Sequence, residues 1–364
     1  MGKNETKIYY IYVIICFSFI LLTTDYLSLY DIINVANQMD VISYSEISKH
    51  APALPKDNNI IIQHVAQRFI IPYLAGSLSY FLNIDFFLVF KLFTFFFIFF
   101  YIFLINILLK KFHFNLKESI LFFSLLFLNP YIVRNHIFNP VQAHDMLFFS
   151  LGLVFAYTVI NKIYLINLLT VIFSAYLRQT SIALLIGSGI FLLINKKIKL
   201  FFTLCIVYFL SFFLIVTLGQ QISNHKFPIH LAYGIIYYDF TQIEKLIKFL
   251  LLTMVAFFPL LVVLFGQINK NINNSTVLTL FLVWAMMIGQ PIIAGPDGST
   301  GNVVRIANLC FPILTVFIFY IWNFQKFVKN NYLFYTFVFG LFLWSLHPTF
   351  SIFKFFGSLR FYNY

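Results

Sequence analysis

Charge is scarce in this sequence, and acid scarcest. Of its 364 residues only 10% are Asp, Glu, Lys or Arg, against about 25% in a soluble domain, and just 12 are acidic. A water-soluble surface cannot be assembled at that density, which excludes a soluble enzyme and a disordered tail. Cysteine is nearly absent as well. Cys16, Cys205 and Cys310 each lie in an apolar run with no CxxC or ligand spacing, so neither a disulfide framework nor a zinc site is implied. There is no P-loop, GxSxG or HExxH motif and no DxD-bearing soluble domain, which disfavours a nucleotide-driven pump and a cytosolic reader of nucleotide sugars. No internal period or low-complexity linker breaks the chain, so residues 1–364 read as one multi-span membrane domain.

What the chain has instead is hydrocarbon. Apolar and aromatic residues make up 61% of it, Phe alone fills 51 positions, and the mean hydropathy is +0.89. A bilayer core about 30 Å thick takes about 20 apolar residues per helix, and as few as about 17. Runs of that order occur near 8–24, 86–109, 118–133, 146–161, 163–177, 181–195, 200–218, 246–266, 276–294, 306–323 and 332–349. The expected fold is therefore all-α, a polytopic transmembrane helix bundle of about 11 spans. Met1 to Leu22 has a basic start and no small-residue cleavage pattern, and reads as an uncleaved signal anchor.

Polar residues fall into two kinds by place. With the N-terminus cytoplasmic, Lys110, Lys111, Lys117, Lys162, Lys196, Lys197, Lys199, Lys270, Lys326 and Lys329 form compact clusters in the inner turns, as the positive-inside rule asks. All five arginines and all the acids but Glu5 and Glu118 fall on the outer side. Chemistry is accordingly expected on the extracytoplasmic face of the cytoplasmic (inner) membrane. Its largest outer segment is 25–85, a loop carrying amphipathic helices, in which "QRFIIPYLAGSLSYFLNID" reads as an interfacial helix because Pro72 and Gly76 interrupt it and it is short for spanning. A second outer loop covers 219–245.

Three sets of residues could carry chemistry. Asp25 and Asp31 follow the first span at the membrane boundary, where a carboxylate can take a proton from a hydroxyl or hold a divalent cation. The short connection "NPYIVRNHIFNPVQAHD" concentrates Arg134, His136, His144 and Asp145, more ionisable groups than a plain connector needs; the plainer reading of Asp145 is a helix N-cap. Arg68, Arg178 and Arg305 stand near the outer mouth, and a guanidinium fork matches phosphate oxygens in a way lysine cannot. Snorkelling to lipid headgroups is the alternative for each. Arg178 interrupts "SAYLRQTSIALL" with almost no loop around it, and charge so near hydrocarbon usually marks a site. "AGPDGSTGNVVR" is first of all a turn.

The layout resembles the glycosyltransferase C superfamily of polytopic membrane enzymes. The resemblance is carried by an early outer acid (Asp25 or Asp31), the helix "QRFIIPYLAG", the inner turn "LLKKFHFNLK", the "NP…R…D" loop, "YLRQTSIALL" and the late "NVVRIANLCFPIL", and it covers the first 200 residues best. It implies transfer of a sugar from a polyprenyl-phosphate donor to a lipid-linked or envelope glycan acceptor, in some members with a divalent metal ion. Asp31 or Asp25 would be the base and Asp145 the acid of the second loop. Arg68, Arg134, Arg178, Arg305 and His144 would contact phosphate or acceptor. The chain departs from the family pattern in that Asp25 and Asp31 are not adjacent. An O-antigen-type polymerase or ligase would place its largest outer loop in the second half, and a transporter would need ionisable groups near mid-bilayer or broken helices.

Overall fold

The computed structural model describes residues 2–24, 39–224, 257–269, 272–293 and 308–346, with the isolated positions 247 and 254. Asp25, Asp31 and Arg305, and most of the expected loop 219–245, lie outside them. Helix α1 is Lys3–Thr23. Three helices follow where a loop with surface helices is expected: α2 (Met39–His50), α3 (Gln63–Ala66) and α4 (Ile70–Leu82). Next come α5 (Phe86–Phe112) and α6 (Leu116–Phe127), then α7 (Asn135–Phe138) and α8 (Ala143–Asn161). The central group closes with α9 (Tyr164–Ala175), α10 (Ile182–Ile194) and α11 (Ile198–Ile222). Towards the C-terminus lie β1 (Gln267–Ile268), α12 (Asn274–Ile293), α13 (Phe311–Ile321), β2 (Trp322–Asn323), α14 (Gln325–Lys329) and α15 (Asn331–Ser345).

The sequence ends these helices by recognisable means. Asp85 caps α5 by accepting from the Phe87 and Leu88 amides at 2.6 and 3.3 Å. Asn115 and Glu118 form a reciprocal capping box at the start of α6. His113 and Lys162 close the turns after α5 and α8 in the left-handed region, at φ 53° and 55°.

The bundle is built around α8, which is buried almost all round and packs against α5, α9 and α13. By contrast α11 exposes Phe202, Ile206, Phe209, Leu210 and Phe213 along one stripe, the pattern of a helix with one face towards lipid. Polar groups join the central helices. Asn167 of α9 donates to Thr158 of α8 at 3.0 Å and accepts from Ser188 of α10. Tyr9 of α1 donates to Asn106 of α5 at 2.8 Å. Such bonds hold helices together where hydrophobic contrast with the surroundings is absent.

Among the described residues the expected eleven spans are not reached. Among the described residues four helices are long and apolar enough to cross a membrane: Lys3–Thr23, Phe86–Phe112, Pro140–Asn161 and Ile198–Ile222. A fifth appears if Leu116–Phe127 and Pro130–Phe138, bent by 41°, count as one. Hydropathy measures apolar chain length, whereas spanning needs unbroken helix. The runs 163–177 and 181–195 yield helices of 12 and 13 residues, or about 18–20 Å. Only the Phe258–Phe265 end of the run 246–266 forms a described element, a tight 3-10 helix. The run 332–349 gives 15 helical residues. Helix α4, expected at the interface, has 13 and cannot span. It turns Ile71, Pro72, Ala75 and Gly76 inward and leaves Leu74, Leu78, Phe81 and Leu82 exposed.

Chain reversals sort the bundle into two ends. At one, Lys117 bonds Asn331, β1 pairs antiparallel with β2 (Gln267 opposite Asn323), and Lys197 stacks over the Tyr164 ring at 5.2 Å. At the other, the amides of Asp57 and Asn58 donate to the carbonyls of Gln221 and Ile222 at 2.9 and 3.0 Å, so the segment after α2 is stitched to the end of α11. The lysine-rich turns fall at the first end, and Arg68, Arg134 and Arg178 at the second.

Two outcomes follow from this packing. Single cysteines at Lys56 and Lys111, both exposed, should react with a membrane-impermeant maleimide from opposite faces; labelling of both in intact cells contradicts the alternation. A Cβ at Gly76 would lie 2.0 Å from the Ser48 carbonyl oxygen where α2 crosses α4, so Gly76→Ala should cost about 1–3 kcal/mol through overpacking. Gly340→Ala, with nothing within 4 Å, should leave the thermal midpoint in detergent unchanged or raise it slightly.

Candidate functional site

The segment expected to be an outer surface connection is instead a buried, broken helix. Pro130–Arg134 forms a π turn, α7 follows, and Pro140–Gln142 makes a 3-10 turn before α8 begins. Prolines at 130 and 140 explain the breaks, since neither can supply a helical N–H and each is suited to the first turn of a new element. The consequence is that Arg134, His136, His144 and Asp145 are all at most 1% exposed.

Asp145 sits in the first turn of α8, where the free N–H groups and the helix dipole favour a carboxylate. It does not cap the helix, whose N-cap is Gln142. Its carboxylate instead meets Arg178, which comes from the short connection between α9 and α10 on extended backbone. The Arg178 Nε donates to Oδ1 at 2.5 Å and Nη2 donates to Oδ2. This bidentate fork joins two groups buried to within 2%, and it satisfies the charge that so little loop surrounds.

Around this pair is a continuous polar network. The His144 Nε2 lies 3.0 Å from Asp145 Oδ1 and 3.1 Å from the Tyr44 hydroxyl. Arg68 donates from Nη1 to the Tyr44 oxygen at 3.3 Å and from Nε to Gln179 Oε1 at 3.0 Å. Gln179 in turn donates to Gln67 Oε1 at 2.8 Å and to the His64 carbonyl at 2.9 Å. Four expected residues, Arg68, His144, Asp145 and Arg178, thus come together from three separate parts of the sequence. Tyr44, Gln67 and Gln179 join them without having been anticipated: they are neutral, and only the adjacency of Gln179 to Arg178 hints at its place.

Electrostatically the cluster is unbalanced. The one carboxylate bonded within the cluster, Asp145, is taken by Arg178, while Arg68 bonds the neutral Tyr44 and Gln179. Among the described residues no carboxylate lies within ion-pair distance of Arg68; Asp40, bound to His64 at 3.1 Å, acts on Arg68 through its field. Burial works against the Arg68 charge, and the fields of Tyr44, Asp40 and Asp145 outweigh it, holding the guanidinium above its ordinary value. Burial pushes the Tyr44 hydroxyl up, against the pull of Arg68. The Nη2 of Arg68 makes no hydrogen bond with any described group, and the residue keeps 9% of its surface. A guanidinium with a spare N–H and no directly bonded carboxylate among the described residues is suited to an incoming anion.

Arg134, expected as a phosphate contact, lies against the end of α1. Its Nη1 donates to the Thr23 carbonyl at 2.7 Å and to Thr24 Oγ1 at 3.2 Å, and Nη2 donates to Thr23 Oγ1 at 2.8 Å. It fastens the end of α1. Among the described residues no group of three or more His, Cys, Asp or Glu side chains is placed to hold a metal ion, and both Asp145 oxygens are engaged by Arg178. Comparison with known proteins finds no matching family model, no matching curated protein and no matching solved structure.

The ion pair has a measurable signature. Arg178→Met or Asp145→Leu alone strands a buried charge and should cost about 3–5 kcal/mol. The double variant, which replaces both by apolar groups, should be less destabilised than either single one in thermal melts; additive losses would mean that the pair is not coupled.

Proposed function

We propose that the chain is an integral-membrane glycosyltransferase that moves a sugar from a polyprenyl-phosphate-linked donor to a lipid-linked or envelope glycan acceptor, on the extracytoplasmic face of the cytoplasmic membrane. The observation that carries this reading is Arg68: a largely buried guanidinium with an open Nη2 and, among the described residues, no ion-pair partner, at the end of the bundle opposite the lysine-rich turns. An anionic group at that place completes the charge balance of the cluster. The helix after Arg68, α4, exposes Leu74, Leu78, Phe81 and Leu82, so a phosphate bound there would have apolar surface beside it for a polyprenyl chain.

Within the reading the parts have distinct duties. Arg68 receives the donor phosphate. Arg178 and Asp145 neutralise one another and hold the cluster in register, so Arg178 acts on the substrate through its neighbours. The leaving group is a phosphate ester, whose developing negative charge the net positive cluster stabilises. Asp25 and Asp31, on the chain that continues from Thr24, would orient the acceptor or hold a divalent metal ion, and Arg305 would add a second phosphate contact. The sugar transferred is a hexose or pentose.

The test is binding first and transfer second. In lipid nanodiscs the protein should bind polyprenyl phosphate alone, and Arg68→Lys should weaken that binding roughly ten- to a hundredfold, since charge-assisted bonds are worth about 1.5–3 kcal/mol each and lysine cannot reproduce the fork. A wild-type protein that neither binds polyprenyl phosphate nor transfers from any polyprenyl-phosphate hexose or pentose refutes the reading.

A further inference from the structure

We propose that His144 is the proton acceptor of the reaction, with Asp145 fixing its ring so that Nδ1 presents the basic lone pair; the assignment rests on reading the cluster as a glycosyl-transfer site. The argument begins with Asp145. Its oxygens receive two guanidinium N–H groups from Arg178, so it is an ionised carboxylate and acts only as an acceptor. The Nε2 of His144 faces Oδ1 of that carboxylate at 3.0 Å. A bare Nε2 could accept from the Tyr44 hydroxyl at 3.1 Å but would set its lone pair against the ionised Oδ1, whereas an Nε2–H makes the stronger, charge-assisted bond to the carboxylate. The proton of neutral His144 is therefore on Nε2, and the lone pair is on Nδ1.

Among the described residues nothing takes that lone pair. The imidazole is 1% exposed and its Nδ1 has no hydrogen-bond partner. Burying an unmatched polar atom costs about 1–3 kcal/mol, and most such atoms in folded proteins are paired. Here the network orients the ring through Asp145 and Tyr44 while leaving its other nitrogen free. Asp145 cannot serve in its place, because its oxygens are already held by Arg178 and His144. Tyr44 is a poor base, its hydroxyl receiving Arg68. Among the described groups of the cluster, His144 Nδ1 is the one with an unused basic lone pair, the place where an acceptor hydroxyl that reaches it would leave its proton.

The step balances. The acceptor O–H transfers its proton to Nδ1, and the oxygen forms its bond to the anomeric carbon. The bond from that carbon to the carrier phosphate oxygen breaks, and its electron pair leaves with the phosphate. Asp145 stabilises the imidazolium through Nε2–H until the proton passes on to the departing phosphate or to water.

His144→Gln tests the assignment, because a glutamine amide can still donate to Asp145 and yet offers no base. Transfer should fall by at least about a hundredfold, in the range of general-base contributions. Binding of polyprenyl phosphate should persist, and the acidic limb of the pH–rate profile should vanish. Full transfer by His144→Gln, or a retained acidic limb, overturns the assignment and leaves the transferase reading standing. Absence of transfer by the wild type from every donor overturns both. Should the glutamine variant fail to fold, ¹⁵N-histidine spectra of the wild-type protein decide: a protonated Nδ1 on neutral His144 overturns the assignment, and a bare Nδ1 supports it.

Discussion

The ion pair between Arg178 and Asp145 is the constraint on which the rest of this bundle depends. Two charges have been removed from water at the mouth of an apolar helix array, and only a bidentate, charge-assisted contact makes that tolerable. Satisfying it dictates local structure on both sides. The chain must break between α9 and α10 so that Arg178 can leave helical geometry, and α8 must begin where its third residue faces that break. Two short helices of 12 and 13 residues in place of two full spans are the structural consequence.

With so short a pair at its centre, the bundle needs more than lipid-facing apolar surface to fix its register. It uses polar side chains at defined heights. The Thr158, Asn167 and Ser188 chain ties α8, α9 and α10 below the ion pair, and Tyr9 with Asn106 and Tyr12 with Ser124 tie α1 to its neighbours. Small residues do the same by permitting close approach: α4 crosses α2 at Gly76, and α10 meets Val283 of α12 at Gly187. The cluster around Asp145 is thus held from below by hydrogen bonds and from the side by crossings that leave no room for a methyl group.

Much of this was legible one residue at a time and little of it pairwise. A membrane protein of helices follows from composition alone, and Arg178 and Asp145 each stand out because a charge beside hydrocarbon is expensive. That they answer one another across 33 positions has no local signature. Hydropathy marks more spans than the described helices support for a similar reason: a run such as 118–133 stays apolar through the break before Pro130, so the window sees length where the backbone has a bend of 41°. Tyr44, Gln67 and Gln179 carry no charge and repeat no motif, so nothing in the sequence marks them as members of the network. Arg134 stands in a connection dense in ionisable groups, and the helix end that it bonds is a backbone feature with no mark in the sequence.

That helix end links α1 to the site. Among its last residues α1 carries no basic side chain to offset the negative end of its dipole. Arg134 supplies the charge from outside, bonding the Thr23 carbonyl and both threonine hydroxyls, with its guanidinium carbon 5.8 Å from the Phe19 ring centroid. The segment that carries Arg134 is also the one that leads, through two proline-started turns, into the first turn of α8. The exit of α1 at Thr24 and the position of His144 and Asp145 are therefore fixed by one stretch of about a dozen residues, and neither can shift without the other. A break that looks like a defect in a transmembrane helix is, on this account, what ties the end of α1 at Thr23 and Thr24 to the segment that leads into the buried network.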